Sequence, residues 1–232
     1  AQTAKTWGFY DVLFGGNEFK FQREYGSYVM EQILFKISFP AEFHSQTAIE
    51  CALELHPEVC GRIEEIEKVE ITTHEAAIRI IDKKGPLHNP ADRDHCIQYM
   101  VAVGLIFGEL TAGHYEDSVA ADPRIDPLRD KMVCIENDKY TKDYHDPEKR
   151  SIANAIRIFF KDGSKTGRIE VEYPIGHRRR REEGIPLLVE KYKRNLARCF
   201  PKEQQRAIQE VSLDQSKLEA IKVNEFVDMF VI

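Results

Sequence analysis

A chain of 232 residues with 42% hydrophobic and 31% charged side chains can bury a core, as one large domain or two small ones. Its net charge of −6 provides no field to attract nucleic acid or an anionic membrane, and no apolar run of about 18 residues is present to span a bilayer. The five cysteines include no CxxC pair, which argues against a disulfide framework, a zinc site or an iron–sulfur cluster, and for a reducing compartment.

The opening, AQTAKTWGFYDV, has no initiating Met, signal peptide or presequence and suggests a truncated or processed chain. Gly15-Gly16 between two aromatic-rich runs predicts a hairpin. Residues 29–40, VMEQILFKISFP, are apolar, and Pro40 ends any regular element by Phe39. Ala48, Cys51, Ala52 and Leu55 fall at helical spacing and predict an amphipathic helix over 45–55, with Ser45 the better cap. VEITT, residues 69–73, alternates as a strand does. Asn89-Pro90-Ala91-Asp92 opens a helix expected to run on into QYMVAVGLIFG, buried on most sides. Short helices are expected over 114–120 and 127–132. A hairpin follows, SIANAIRIFF and GRIEVEYP joined by the turn Lys161-Asp162-Gly163-Ser164. From Ile185 the pattern is helical, with Leu187, Leu188, Lys191, Tyr192 and Leu196 on one face and shorter helices over 202–211 and 223–230. Strands mixed with helices, without regular βαβ alternation, mean an α+β fold. The apolar stripes of the C-terminal helices have no evident partner.

Several side chains could carry chemistry. Lys36 interrupts an apolar run, so it either snorkels from a strand edge or points its ammonium into a cleft. His44 precedes the predicted helix and either aims at an anion held at its N-terminus or simply caps it. His74-Glu75 ends the strand VEITT, where a rigid scaffold can present a site and where polar residues also emerge naturally. Arg93, Asp94, His95 and Gln98 fall in the first turns of the next helix. Asp92 and Asp94 suit its dipole, and because adjacent helical residues point apart, the sequence gives no ground to claim an Asp94–His95 acid/base pair. Lys83-Lys84 and Arg79 place cations near His88. GHRRRREEG, residues 176–184, could bind polyphosphate or RNA, but its glutamates and the acidic whole favour a solvated, ion-paired turn. Neither GxGxxG nor a P-loop supports a nucleotide cofactor. Cations and histidines near helix and strand termini suit a small polycarboxylate, and suit a silent scaffold nearly as well.

The segments KTWGFYDV, REYGSYVME, LFKISFPAEFHSQTA, ITTHEAAIRIIDKKGP, NPADRDHCIQYM, DYHDPEKR, VEYPIGH and NEFVDMFVI occur in an order that covers nearly the whole chain. Together they resemble the C-terminal half of the MmgE/PrpD family, in its 2-methylcitrate-dehydrating branch. The resemblance implies a large all-helical domain and a smaller α+β domain with the active site in the cleft between them. On that template residues 1–30 end the helical domain, 31–175 form the α+β domain, and 176–232 return to a helical domain otherwise missing from the chain. It implies dehydration of 2-methylcitrate to 2-methyl-cis-aconitate in propionate breakdown, without an iron–sulfur cluster, metal or other cofactor. It also implies a small tricarboxylate substrate, a homodimer, and a bacterial cytoplasm or mitochondrial matrix, with no nucleic-acid or membrane partner. Lys36, Phe39-Pro40 and His44 match a pattern in cis-aconitate decarboxylase relatives, although two residues separate Lys36 from Phe39 here. The match implies that Lys36 binds a carboxylate and that His44 binds substrate or transfers a proton. His74 stands in for a tyrosine of those relatives, and Gln46, Lys83, Arg93 and His95 are expected to bind substrate. Other activities in view are decarboxylation or epimerisation in the same cleft, or a non-catalytic folding or dimerisation module.

Overall fold

The computed structural model describes residues 3–20 and 36–232, in two units that are taken separately. In the first, Phe9–Phe14 form helix α1, where the sequence predicts a hairpin. The Gly15-Gly16 pair stops this helix: Gly15 takes a left-handed φ of 58°, and the Gly16 N–H donates to the Tyr10 carbonyl at 3.0 Å. Two glycines with positive φ serve a helix stop as well as a tight turn, and only the flanking residues decide between them. The expected apolar run over 29–40 lies outside the described residues up to residue 35; from 36 to 40 the chain is irregular.

The second unit is built on a four-stranded sheet in the order β2-β1-β3-β4, where β1 is Ile66–Thr73, β2 Met132–Glu136, β3 Asn154–Phe160 and β4 Ile169–Val171. β1 runs parallel to β2 and antiparallel to β3, and β3 and β4 form the predicted hairpin. Alternation sets the faces: Val69, Ile71 and Thr73 of β1 and Ile156, Ile158 and Phe160 of β3 are buried. On β1's other face Lys68 and Glu70 pair at 2.8 Å.

Helices α2 (Gln46–Val59) and α5 (Ile97–Phe107) pack together, and α2 covers β3 and β4. Ala48, Cys51, Ala52 and Leu55 form the buried stripe of α2, as their spacing predicts. Its sequence-expected cap works differently. Ser45 precedes α2, but its hydroxyl donates to the Glu42 carbonyl at 2.6 Å and to the Met100 sulfur at 3.2 Å instead of capping. In α5 every residue from Ile97 to Ile106 is buried, which fits a run with no polar face. Gly104 lets the two helices approach: a Cβ there would lie 3.0 Å from the Ala52 Cβ.

The helix opened by Asn89 and Pro90 stops sooner than expected. α4 covers only Pro90–Asp94, and His95-Cys96 separate it from α5. Helix α3 (Glu75–Ile81) follows β1, while α6 (Asp117–Ala120) and α7 (Ile125–Arg129) lead to β2. Met132, expected in a helix, begins that strand, and the unpredicted α8 (Asp138–His145) follows it with Asn137 as cap. The arginine-rich segment is a single 3-10 turn, Arg178–Arg180, leading into α9 (Arg181–Cys199). There Arg180 pairs with Glu50 and Glu183, each at 2.8 Å, while Arg178 and Arg179 donate to the Glu148 carbonyl. α10 (Lys202–Ser212), α11 (Gln215–Ala220) and α12 (Val223–Asp228) complete the chain, α11 being absent from the sequence expectation. Among the described residues no helix is long and apolar enough to cross a membrane.

Candidate active site

One pole of the sheet gathers polar groups. Because β3 is antiparallel to β1, with Thr72 opposite Ala155, the end of β1 meets the start of β3. The parallel β2 ends at the same pole, where the Asn137 N–H donates to the Thr73 carbonyl at 2.9 Å. The segment entering α2 is tied there by Asn154, whose amide donates to the His44 carbonyl and to Thr47 Oγ1, both at 2.8 Å. Thr47 in turn donates to the Ile152 carbonyl at 2.6 Å. Three stretches distant in sequence, around residues 44, 74 and 144, are thereby held side by side.

His44 sits at the centre. The Glu42 carboxylate accepts from the His44 backbone N–H at 2.8 Å and lies 2.7 Å from its Nδ1. A carboxylate facing Nδ1 places the ring proton there, so in the neutral imidazole Nε2 is the acceptor. Nε2 lies 3.1 Å from the Tyr144 hydroxyl, at the end of α8. Burial would raise the Glu42 carboxyl, but the hydrogen bonds and charge of His44 outweigh it and hold the group below its ordinary range. The arrangement is a carboxylate–imidazole–phenol chain.

His74 forms its floor. Its ring stacks on Tyr144 at 4.5 Å and 11° and lies 5.2 Å from the His44 ring. His74 caps α3, its Nδ1 accepting from the Ala77 N–H at 3.2 Å, so its proton belongs on Nε2. That Nε2 is buried and has no hydrogen-bond partner; Thr73 Oγ1, Ser151 Oγ and Asn154 Oδ1 near the same pole are likewise unpartnered. Burial, then the charge of His44, lowers the His74 pKa to about 4, so this imidazole is neutral at neutral pH. A buried neutral N–H without an acceptor is suited to a ligand oxygen.

The structure thus brings His44 and His74 together, and it adds Glu42 and Tyr144, which sequence reasoning did not single out. Tyr144 lies within DYHDPEKR, but its partners are far away in sequence and no local pattern signals the contact. Lys36 is exposed, and its carbonyl accepts from the Lys191 ammonium. Gln46 is buried and spends its amide on the carbonyls of Phe39, at 3.1 Å, and Ala41, at 3.0 Å, so it holds the entry loop. Lys83, Arg93 and His95 gather elsewhere: Lys83 follows α3, on the order of 10 Å along that helix from His74. There Lys83 pairs with Asp92, while the buried Arg93 pairs with Asp117 at 2.6 Å and donates to the Tyr115 carbonyl at 2.5 Å. His95 Nδ1 lies 3.2 Å from Asp94, a contact that the sequence offers no ground to claim. The helix ends at Asp94, which frees the two neighbours from helical directions. Among the described residues no cluster of three or more His, Cys, Asp or Glu could hold a metal ion.

Residues 39–217 match the MmgE/PrpD C-terminal domain. Over its whole length the chain is 65% identical to a 2-methylcitrate dehydratase of Salmonella typhimurium, covering 49% of that protein. It is 64% identical to the 2-methylcitrate dehydratase of Escherichia coli, again over 49% of that protein. A mitochondrial 2-methylcitrate dehydratase of Yarrowia lipolytica is 60% identical over 99% of this chain and 44% of its own length. The chain spans about half the length of the curated relatives it matches. With the domain model covering most of its residues and this identity running from end to end, the chain belongs to the MmgE/PrpD family.

Proposed function

We propose that the protein to which this chain contributes the C-terminal half dehydrates 2-methylcitrate to 2-methyl-cis-aconitate, a carbon–oxygen lyase reaction of propionate breakdown. Relatives named 2-methylcitrate dehydratases support the substrate. The observation that carries the chemistry is the Glu42–His44 pair beside the neutral, unpartnered His74. The elimination removes a proton next to a carboxylate and expels a tertiary hydroxyl. It needs a proton carrier, hydrogen-bond donors for the leaving oxygen, and cations for the carboxylates. His44 lies at the centre of proton transfer, and His74 Nε2–H donates to a substrate oxygen. Lys36 takes a carboxylate. Burial first, and then Arg194 and Lys36, lower the neighbouring Lys191 ammonium, a crowding of cations that a bound carboxylate relieves.

In this reading residues 31–175 form the α+β wall of a cleft, with 1–30 and 176–232 belonging to the helical domain. The preceding half of the protein supplies the opposite wall. The assembly is a homodimer, in a bacterial cytoplasm or a mitochondrial matrix. The test is formation of the unsaturated tricarboxylate, followed by absorbance, with full-length protein and this chain side by side and chelator present. Activity in the full-length protein alone is expected. His44→Ala should lower its kcat about a hundredfold or more, and Lys36→Ala should mainly raise KM. An inactive full-length protein, or normal turnover by His44→Ala, would sink the reading.

A further inference from the structure

We propose that Tyr144 is the catalytic residue that meets the substrate, and that Glu42 and His44 act through it as a relay carrying one proton from substrate carbon to leaving oxygen. This rests on the dehydratase reading and assigns a group within its site. The argument begins with His44. Its Nδ1 faces Glu42 and its Nε2 faces the Tyr144 hydroxyl, so both ring nitrogens are engaged. On the Nε2 side a proton enters or leaves this imidazole through the phenol oxygen. Tyr144 ends the hydrogen-bonded chain that starts at Glu42, and like Glu42 and His44 it is half-buried, whereas His74 is fully buried.

The phenol is held on several sides. Its ring lies flat on His74, and His74 is locked at the start of α3 by the Ala77 N–H. Helix α8 is fastened to that same start, because the Glu75 N–H donates to Thr141 Oγ1 at 3.0 Å. Asn137 fixes the other end of α8 by accepting from the Lys139 N–H at 2.9 Å and the Tyr140 N–H at 3.3 Å. A side chain that merely covered His44 would need none of this preorganisation.

The protons balance over two steps. In the first, the substrate C–H bond breaks toward the Tyr144 oxygen while the phenolic proton moves to His44 Nε2, leaving imidazolium beside the Glu42 carboxylate. In the second, Tyr144 gives its proton to the leaving hydroxyl as His44 returns one to the phenol, the C–O bond breaks, and water departs. The relay ends as it began. Through both steps His74 Nε2–H remains a neutral hydrogen-bond donor to the substrate.

The experiment uses full-length protein and 2-methylcitrate. Tyr144→Phe is expected to lower kcat at least a hundredfold with KM changed less than about twofold, and to shrink the solvent isotope effect on kcat. Glu42→Gln is expected to lower kcat and remove the downfield Nδ1–H resonance of His44, which Tyr144→Phe retains. His145→Ala, an exposed neighbour of the phenol ring outside the relay, should turn over normally. Unchanged kcat and isotope effect in Tyr144→Phe, with wild-type protein active, would overturn the relay and leave the dehydratase reading standing. Wild-type protein inactive on 2-methylcitrate would overturn that reading itself. If Tyr144→Phe does not fold, replacing Tyr144 with 3-fluorotyrosine keeps shape and hydroxyl: altered kcat supports the relay, and unchanged kcat overturns it.

Discussion

Burial of the His74 imidazole couples the stability of the fold to acid. Its pKa falls from 6.5 to about 4 on folding, so between those values the unfolded chain binds a proton that the native chain refuses. Stability is therefore fully present above pH 6.5 and is lost as pH falls toward 4. From pH 7 to pH 5 this one residue should cost about 2 kcal/mol, read as a lower urea midpoint. His177, buried and lowered to about 4 by burial and then by neighbouring arginines, acts in the same direction. Replacing His74 with Asn should flatten the curve; a parent protein equally stable at pH 7 and pH 5 would refute the assignment. The same residue marks how far sequence reading reached into the site. His44 and His74 stand at a helix start and a strand end, places that a one-dimensional pattern reveals. Tyr144 matters only because α8 carries it across to a histidine 100 positions away, and Glu42 only because a turn folds its carboxylate back onto Nδ1. The loop-holding contacts of Gln46 were hidden for a related reason: its amide donates to two carbonyls of its own entry loop, which helical spacing does not announce.

Among the elements, the crossing of α2 and α5 depends on the missing side chain of Gly104. Glycine inside a helix costs up to about 1 kcal/mol relative to alanine, yet here any Cβ meets Ala52 at 3.0 Å. Gly104→Val should destabilise by about 1–3 kcal/mol through overpacking, and Ala52→Gly in the same chain should recover part of the loss. Equal urea midpoints for Gly104→Val and its parent would refute the close crossing. α2, β1 and the β3–β4 hairpin were legible because each buries a periodic face in the core or turns on Asp-Gly, and α5 because its run is apolar throughout. β2 was not: its short edge strand leaves Val133 and Ile135 exposed, so no alternation announces it. The gap between α4 and α5 escaped because helical residues flank it on both sides. At Gly15-Gly16 two motifs share one glycine signature.

Across the whole molecule, the sheet, the α2 helix on it and the α5 helix behind α2 hold most of the core, and the last quarter of the chain holds little. From Arg181 onward only Gly184, Leu196 and Ile208 are buried within helices α9 to α12. Helices α9, α10 and α12 line an open apolar groove of about 460 Å³ with Leu188, Tyr192, Leu213, Phe226 and Phe230 among its walls. In the isolated chain, amides of α10 to α12 should exchange with deuterium well before those of α5, because few buried contacts oppose their opening. Equal protection would show that the helices are stabilised by something other than burial. The sheet separates its two poles as well. Asn154 begins β3 at the histidine pole, and the Asp162-Gly163 turn follows its far end, about 20 Å away along the strand. Gly163 has open space around it, but its φ of 83° is one only glycine adopts readily, so attachment belongs on its neighbours in the turn. That turn is where a fluorophore or surface tether can be attached, leaving the proton-transfer groups at the opposite pole undisturbed and free to be watched.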